Sequence, residues 1–176
     1  MFKLFIKLKS KIYNNSYINK LKKRGLKIGE NVQIIESDID YGHCFLIEIG
    51  NDVLITHSTI LAHDASTKNM LGKTKVGKVK IGDRVFVGYG SIILPNISIG
   101  DDVIIGAGTI VTKSIPSNSV VVGNPSRVVG LTSDFKKKHK YNMQCKPVYN
   151  TYWPNKTKQE EETMKIELEN SIGYDE

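Results

Sequence analysis

An aliphatic residue returns every six positions through the middle of the chain. Residues 81–98 read IGDRVFVGYGSIILPNIS, residues 99–116 read IGDDVIIGAGTIVTKSIP, and eight of these 18 positions are identical. Residues 49–66, IGNDVLITHSTILAHDAS, align with both. The recurring aliphatic residues are Ile49, Ile55, Leu61, Ile81, Val87, Ile93, Ile99, Ile105 and Val111. The middle of the chain is therefore a tandem repeat of 18 residues, each made of three six-residue parts.

The spacing of six predicts short strands rather than helices. Six is a multiple of the strand period of two and not of 3.6, so on strands the aliphatic residues all face inward. A second inward set, of small or β-branched residues, is Val53, Thr59, Ala65, Val85, Ser91, Ile97, Val103, Thr109 and Ile115. Repeats this short are typical of an all-β solenoid, a β-helix with three strands per coil. We assign this domain to residues 26–130.

Apolar residues of the opposite parity are expected to point outward from two of the three strands in each coil. They are Leu54, Ile60, Phe86, Ile92, Ile104 and Ile110. The third part of each repeat ends instead in Ser66, Ser98 or Pro116. Exposed apolar surface of that extent usually marks an interface. A subunit with two such faces contacts two neighbours, and the three-sided section predicts a cyclic homotrimer.

The repeat is interrupted between its first and second units. Residues 67–80 form a predicted loop excursion out of the coil, shortly after His63. Loops inserted into a rigid repeat are frequent sites of function. His63 lies between the inward residues Leu61 and Ala65, where the chain leaves the coil, so we expect it at an exposed edge. A histidine there is either a general base, which a neutral imidazole suits near pH 7, or a surface or structural side chain.

The two ends of the chain lack the repeat. Residues 1–25 are predicted to form a basic amphipathic helix: they contain eight Lys and Arg residues and no acidic residue, while the whole chain carries +7. Such a helix either caps the domain or contacts anionic lipid headgroups. Nucleic acid is not an expected partner, since the body has no basic patch with interleaved aromatic residues.

Residues 131–176 are predicted to form a cap of two short helices, at 132–142 and 156–170. An aromatic loop joins them, and its rings could instead stack on a sugar.

Composition places the chain among single-domain globular proteins. It has 176 residues, 40% of them hydrophobic, and a mean hydropathy of −0.24. No run of about 20 apolar residues is present, so a transmembrane helix is not expected. Cys44 and Cys145 have neither metal-ligand spacing nor a disulfide framework. These features predict a reducing, cytoplasmic location.

The motifs resemble those of a known family. The I-G-x-x-V pattern, the excursion after a histidine and the stretch IGAGTIVTKSIPSNSVVVGNPSRVV are similar to the hexapeptide-repeat acyltransferases, and within them to the maltose, galactoside and polysaccharide O-acetyltransferases. The resemblance implies a left-handed parallel β-helix, a trimer, and acetyl-CoA bound in a groove between subunits. The basic start and the segment KPVYNTYWP are more similar to members that act on bacterial capsular polysaccharide or exopolysaccharide units.

The same resemblance implies roles for particular residues. His63 matches the general base of direct acetyl transfer to a sugar hydroxyl. The positions that match contacts to CoA are Tyr89, Ala107, Thr112, Lys113 and Arg127. Tyr89 stands where a small residue often meets the pantetheine arm, and Phe86 where many members have tryptophan. The sugar-binding asparagine and aspartate of the galactoside enzymes have no clear counterpart, so the acceptor-binding residues are not assigned.

Three other functions fit the same fold. One is an N-acetyltransferase acting on an amino sugar. A second is a zinc enzyme similar to the γ-carbonic anhydrases, for which His57 and His63 are spaced one residue too far apart and His43 is poorly placed as the third ligand. A third is a non-catalytic scaffold. The expected reaction needs acetyl-CoA and no metal.

Overall fold

Three parallel sheets form the body of the protein, of which the computed structural model describes residues 16–176. Sheet A contains β1 (Lys27–Ile28), β4 (Ile47–Ile49), β9 (Val79–Ile81) and β12 (Ile97–Ile99). Sheet B contains β2 (Gln33–Ile35), β5 (Leu54–Thr56), β10 (Phe86–Val87), β13 (Ile104–Ile105) and β15 (Ser119–Val122), with β16 (Arg127–Leu131) added antiparallel at its edge. Sheet C contains β3 (Asp38–Ile39), β6 (Thr59–Ile60), β11 (Ile92–Ile93) and β14 (Ile110–Val111). Each of four successive coils thus contributes one strand to A, then B, then C, which confirms the predicted parallel sheets of short strands.

The aliphatic residues of the repeat fill the space between the sheets. Most of the predicted inward positions are buried, including Ile55, Val87, Ile93 and Ile105, each with no exposed surface. Glycines at the turns let successive coils approach closely. A Cβ on Gly82 would lie 2.8 Å from the carbonyl carbon of Gly100, so a side chain there would push the coils apart.

The second coil departs from the predicted register by one residue. Ile60, not Leu61, pairs with Ile93 and is fully buried, while Leu61 is only half-buried. Two residues connect Ile55 to the buried Ser58, where three connect Val87 to Ser91, so every later position of the coil shifts by one. The predictions of inward Leu61, Thr59 and Ala65 and of outward Ile60 were therefore wrong, and the inward residues are Ser58, Ile60 and Ala62.

The outward faces of the sheets differ in polarity. On sheet B the outward residues that pair with one another in successive strands are Gln33, Leu54, Phe86, Ile104 and Val120. On sheet C it is Asp38, Thr59, Ile92 and Ile110. On sheet A it is Lys27, Glu48, Lys80 and Ser98. Sheet B therefore carries an apolar row from Leu54 to Val120, sheet C is apolar only at Ile92 and Ile110, and sheet A presents a polar face.

The excursion from the coil spans 63–76 rather than the predicted 67–80. It is a hairpin of β7 (His63–Asp64) and β8 (Lys75–Val76), paired antiparallel, with a 3-10 turn and helix α2 (Lys68–Leu71) at its tip. The hairpin closes where the Gly77 N–H donates to the Ala62 carbonyl at 2.9 Å. Residues 79–81 already belong to sheet A, which is why the predicted excursion was displaced.

Helices lie at both ends of the coils. Helix α1 includes the described residues 16–23, and its Ile18 and Leu21 join the buried core; the rest of the predicted basic helix, residues 1–15, lies outside the described residues. The C-terminal part contains α3 (Thr132–Cys145), β17 (Val148–Tyr149), α4 (Lys158–Glu167) and β18 (Tyr174–Asp175). Helix α3 is joined to the last coil through the Ser133 N–H, which donates to Asn118 Oδ1 at 2.8 Å. Among residues 16–176 we find no helix with the length and apolarity needed to cross a bilayer.

Candidate active site

His63 and Asp40 form a hydrogen-bonded pair where the hairpin leaves the coil. Asp40 directly follows β3 and His63 opens β7, and the pairing of β3 with β6 brings the two residues together. His63 Nδ1 lies 2.5 Å from Asp40 Oδ2. The Ala62 N–H donates to the same carboxylate oxygen at 3.0 Å, and the His43 N–H donates to Oδ1 at 3.1 Å. Backbone and side chain together fix the orientation of this carboxylate.

The Asp40 carboxylate is charged although it is buried. Only 2% of its side chain is exposed, against 37% for His63. Burial raises the pKa of the Asp40 carboxyl, but hydrogen bonds from His63 and from the Ala62 and His43 N–H groups outweigh it, so the pKa lies below its ordinary value. An ionised carboxylate only accepts hydrogen bonds, so the proton between the two groups belongs to His63 Nδ1. In the neutral imidazole, Nε2 of His63 then carries the lone pair that can accept a proton.

A second imidazole borders this pair. The ring of His43 lies 4.9 Å from the ring of His63, centroid to centroid, and its Nδ1 is 3.5 Å from Asp40 Oδ1. His57 is elsewhere: it stacks on Tyr89 at 4.6 Å and lies 3.5 Å from Glu36. His43 therefore lies beside His63, because the turn after β3 folds back beside the hairpin, whereas His57 contacts neither of them in the three-histidine set considered from the sequence.

The hairpin that carries His63 is held by local polar contacts. Asp64 Oδ2 lies 2.6 Å from the Nζ of Lys75 on the opposite strand. The Ser66 N–H donates to Asp64 Oδ1 at 2.8 Å, which starts the turn that follows. These contacts hold the pKa of the Asp64 carboxyl below its ordinary value, with the hydrogen bond from Lys75 as the largest cause. His63 is therefore placed on a paired strand rather than on a free loop.

Four of the five predicted CoA contacts fall on two corners of the coil. Tyr89 and Ala107 lie in the turns from sheet B to sheet C, which we call the BC corner, and both are exposed. Thr112 and Lys113 follow sheet C on the CA corner, which is the row formed by Asp40, Leu61, Leu94 and Thr112 in successive coils. At a strand spacing of about 4.8 Å, three coils separate Asp40 from Thr112 by about 14 Å.

Arg127 lies at the end of the coils beside β14. The Ser126 N–H donates to the Ile110 carbonyl at 3.0 Å, which brings Arg127 towards the strand that leads to Thr112 and Lys113. Both Lys113 and Arg127 are exposed, and neither forms an ion pair with another residue in the range 16–176. Two cations are thus free to contact an anionic ligand.

The model for bacterial transferase hexapeptide repeats (six repeats) matches residues 78–113. The chain is 36% identical over 159 residues to protein CapG of Staphylococcus aureus, covering 81% of this chain and 91% of the relative. A maltose O-acetyltransferase from Clostridium difficile 630 has a similar structure, with 32% identity, a TM-score of 0.50, and coverage of 72% of this chain and 84% of that one. A galactoside acetyltransferase in complex with coenzyme A has 28% identity and a TM-score of 0.51, with 66% and 70% covered.

The protein belongs to the hexapeptide-repeat acyltransferase family. The predicted family is therefore confirmed, and the chain is an acyltransferase. The family's repeat model covers only the coils from β9 to β14, whereas the likeness to CapG covers 159 residues.

Sequence reasoning about this hexapeptide-repeat acyltransferase missed Asp40. The signal was a carboxylate directly after the inward Ile39, at a position occupied by Leu61, Leu94 and Thr112 in the following coils. The first coil precedes the clear repeats. Its turn at Glu36 is one residue shorter than the period of six requires, so the sequence pattern does not align Asp40 with the residues of the later coils.

Proposed function

We propose that the protein transfers an acetyl group from acetyl-CoA to a sugar hydroxyl, with His63 as the general base and Asp40 orienting it. The observation that carries this proposal is the Asp40–His63 pair at the root of the hairpin, in a chain that belongs to an acyltransferase family. A buried, ionised carboxylate behind an imidazole whose other nitrogen faces outward is the arrangement that general base catalysis uses.

The proposed reaction is a direct transfer. His63 Nε2 takes the proton of the acceptor hydroxyl while its oxygen attacks the thioester carbonyl, and Asp40 stabilises the imidazolium that forms. The C–O bond forms, the C–S bond then breaks, and the imidazolium returns its proton to the departing thiolate. Proton abstraction by a positioned base contributes typically about 100- to 10,000-fold to the rate.

Acetyl-CoA fits the described surface as the acetyl donor. Lys113 and Arg127 offer two unpaired cations for its phosphates, and Thr112 lies on the same corner as His63. Tyr89 and Ala107 lie on the other corner, where a Cβ added at Gly108 would meet no atom within 4 Å. That opening leaves room for the thin pantetheine arm to pass along the backbone.

A homotrimer would bring these two corners together. Within one subunit the outward face of sheet C separates the BC corner from the CA corner. Residues on both corners can border one groove only if the CA corner of one subunit faces the BC corner of its neighbour. The apolar row of sheet B and the apolar pair Ile92 and Ile110 on sheet C support such packing, and the family supports a left-handed coil.

The acceptor is proposed to be a surface polysaccharide or its precursor, acylated on the cytoplasmic side of the membrane. The support is the likeness to the maltose and galactoside acetyltransferases, whose names specify sugars. Lys20, Lys22 and Lys23 of helix α1 are exposed on the side away from Leu21, which supports peripheral contact with an anionic membrane through residues 1–25. Aromatic rings in the C-terminal part, such as Trp153, offer a surface for a sugar.

The test combines binding with turnover. Calorimetric titration of acetyl-CoA into the wild type and His63→Ala should give similar affinities, and release of CoA with a panel of sugars should fall at least about 100-fold in the variant. His139→Ala is the matched control, because His139 lies on α3 and bonds to the Tyr174 hydroxyl. Absence of acetyl-CoA binding to the wild type would contradict the proposal, and so would undiminished sugar-dependent CoA release in His63→Ala.

A further inference from the structure

Asp40, His43 and His63 form a cluster of metal-ligating groups that acetyl transfer does not fully use. One ligand atom from each residue lies within 4.8 Å of the other two. Two imidazoles and one carboxylate are a ligand set found in catalytic zinc sites, where a fourth position stays open to solvent. The cluster lies within one subunit and does not include His57, so it differs from the set of three histidines considered from the sequence.

The Nδ1 atom of His43 is buried and has no hydrogen-bond partner among residues 16–176. It faces Asp40 Oδ1 across 3.5 Å without forming a hydrogen bond. A neutral imidazole with its lone pair in that gap would be directed at an anion, which is unfavourable unless a cation lies between the two. The gap between His43 and Asp40 therefore favours a positive charge, which either a proton on His43 Nδ1 or a bound cation can supply.

The Asp40 carboxylate retains the capacity to bind such an ion. A carboxylate has about four acceptor positions, and the His43 N–H, the Ala62 N–H and His63 Nδ1 occupy three. The side chains of His43 and His63 are about one-third exposed while Asp40 is not, so the cluster lies at the surface with its carboxylate on the buried side.

We propose that Asp40, His43 and His63 bind Zn²⁺, and that the bound ion inhibits acetyl transfer because His63 then ligates metal instead of accepting a proton. The inhibitory part rests on the proposed function, whereas the binding part does not. Bond lengths of 2.0–2.2 Å in a tetrahedral site place ligand atoms about 3.3 Å apart. His43 Nδ1 and Asp40 Oδ1 already meet that spacing at 3.5 Å, while His63 Nδ1 must move away from Asp40 Oδ2 from 2.5 Å.

The binding test uses ZnCl₂ alone on chelator-treated protein without a histidine tag. Calorimetry should show one ion per chain in the wild type and affinity at least about 10-fold weaker in His43→Gln and in His63→Gln. His139→Gln is the matched control and should bind as the wild type does. Failure of the wild type to bind Zn²⁺ at 100-fold molar excess would overturn the proposal. Equal binding by His43→Gln would do the same, provided that circular dichroism shows both proteins folded.

A second measurement separates this site from the proposed function. Co²⁺ in place of Zn²⁺ should give the visible absorption of a tetrahedral nitrogen and oxygen site in the wild type, and His43→Gln should lose it. In sugar-dependent CoA release, Zn²⁺ should inhibit the wild type at the concentrations that saturate binding. Binding without inhibition would overturn the inhibitory role. Binding by a protein that transfers no acetyl group to any acceptor would leave the metal site standing and remove the proposed function.

Discussion

At the scale of single residues, the site depends on how one carboxylate is supported. Apart from its contact with His63, Asp40 accepts hydrogen bonds from two backbone N–H groups, those of His43 and Ala62. These bonds offset the cost of burying the charge and leave Oδ2 directed at His63 Nδ1. In a neutral imidazole the proton therefore lies on Nδ1, which leaves Nε2 as the basic nitrogen of a side chain that is 37% exposed.

Lys113 provides a prediction at the same scale. Because its ammonium group is exposed and has no ion-pair partner in the described part of the chain, Lys113→Ala should weaken acetyl-CoA binding. A hydrogen bond to a charged group contributes about 1.5–3 kcal/mol, so the KM for acetyl-CoA should rise at least about 10-fold with little change in kcat. Lys165→Ala, which removes an exposed lysine paired with Glu162 on α4, is the control. Steady-state kinetics with an unchanged KM in Lys113→Ala would show that Lys113 does not contact the donor.

At the scale of elements, the turn lengths decide which residues face inward. The turn at His57 is one residue shorter than the turn at Tyr89, and His57 adopts a φ of 44° to close it. The shift buries Ile60 and places Leu61 outside, on the CA corner. It also leaves His63 on the hairpin at the edge of the coil.

Paired substitutions test this register. Ile60→Ala removes a fully buried side chain and should lower the free energy of unfolding by about 2–5 kcal/mol. Leu61→Ala should cost less than half of that, since Leu61 keeps part of its surface exposed. Thermal or urea denaturation of both variants makes the comparison. A larger loss for Leu61→Ala would favour the register that the period of six suggests.

The sequence was most informative where the repeat is regular. From Ile81 to Ile115 every predicted inward residue is buried, because two units with eight identical positions leave little choice of alignment. Prediction failed at the second coil, where a single missing residue moved Ile60 inward. Asp40 was missed for a related reason: its partner His63 is 23 residues away, and no local pattern links a carboxylate in one coil to a histidine in the next.

At the scale of the whole molecule, the apolar row of sheet B, the apolar half of the row on sheet C and the polar face of sheet A bear on how subunits would meet. The outward row of sheet B includes Phe86, which is 39% exposed, next to Leu54 and Ile104. Sheet A carries the ion pair of Lys27 and Glu48 at 2.7 Å. Association through B and C but not through A is what a closed trimer of three-sided coils requires.

Phe86→Glu tests the trimer. A charge in the middle of the apolar row should be costly to bury between subunits, so the variant should run as a monomer in size-exclusion chromatography with light scattering. Ser98→Glu makes the matched change on the polar face of sheet A and should leave the mass unchanged. A trimer formed equally well by Phe86→Glu, or a wild type that is monomeric, would contradict the proposed packing.

The pairing of Asp40 with His63 is the centre of this account, and Asp40→Asn tests it most directly. The amide is close in size to the carboxylate but cannot stabilise an imidazolium, so sugar-dependent CoA release should fall at least about 100-fold. Calorimetric affinity for acetyl-CoA should stay within about twofold of the wild type, which shows that the fold and the donor site are intact. Release by Asp40→Asn within about threefold of the wild-type rate would contradict the catalytic role of the pair.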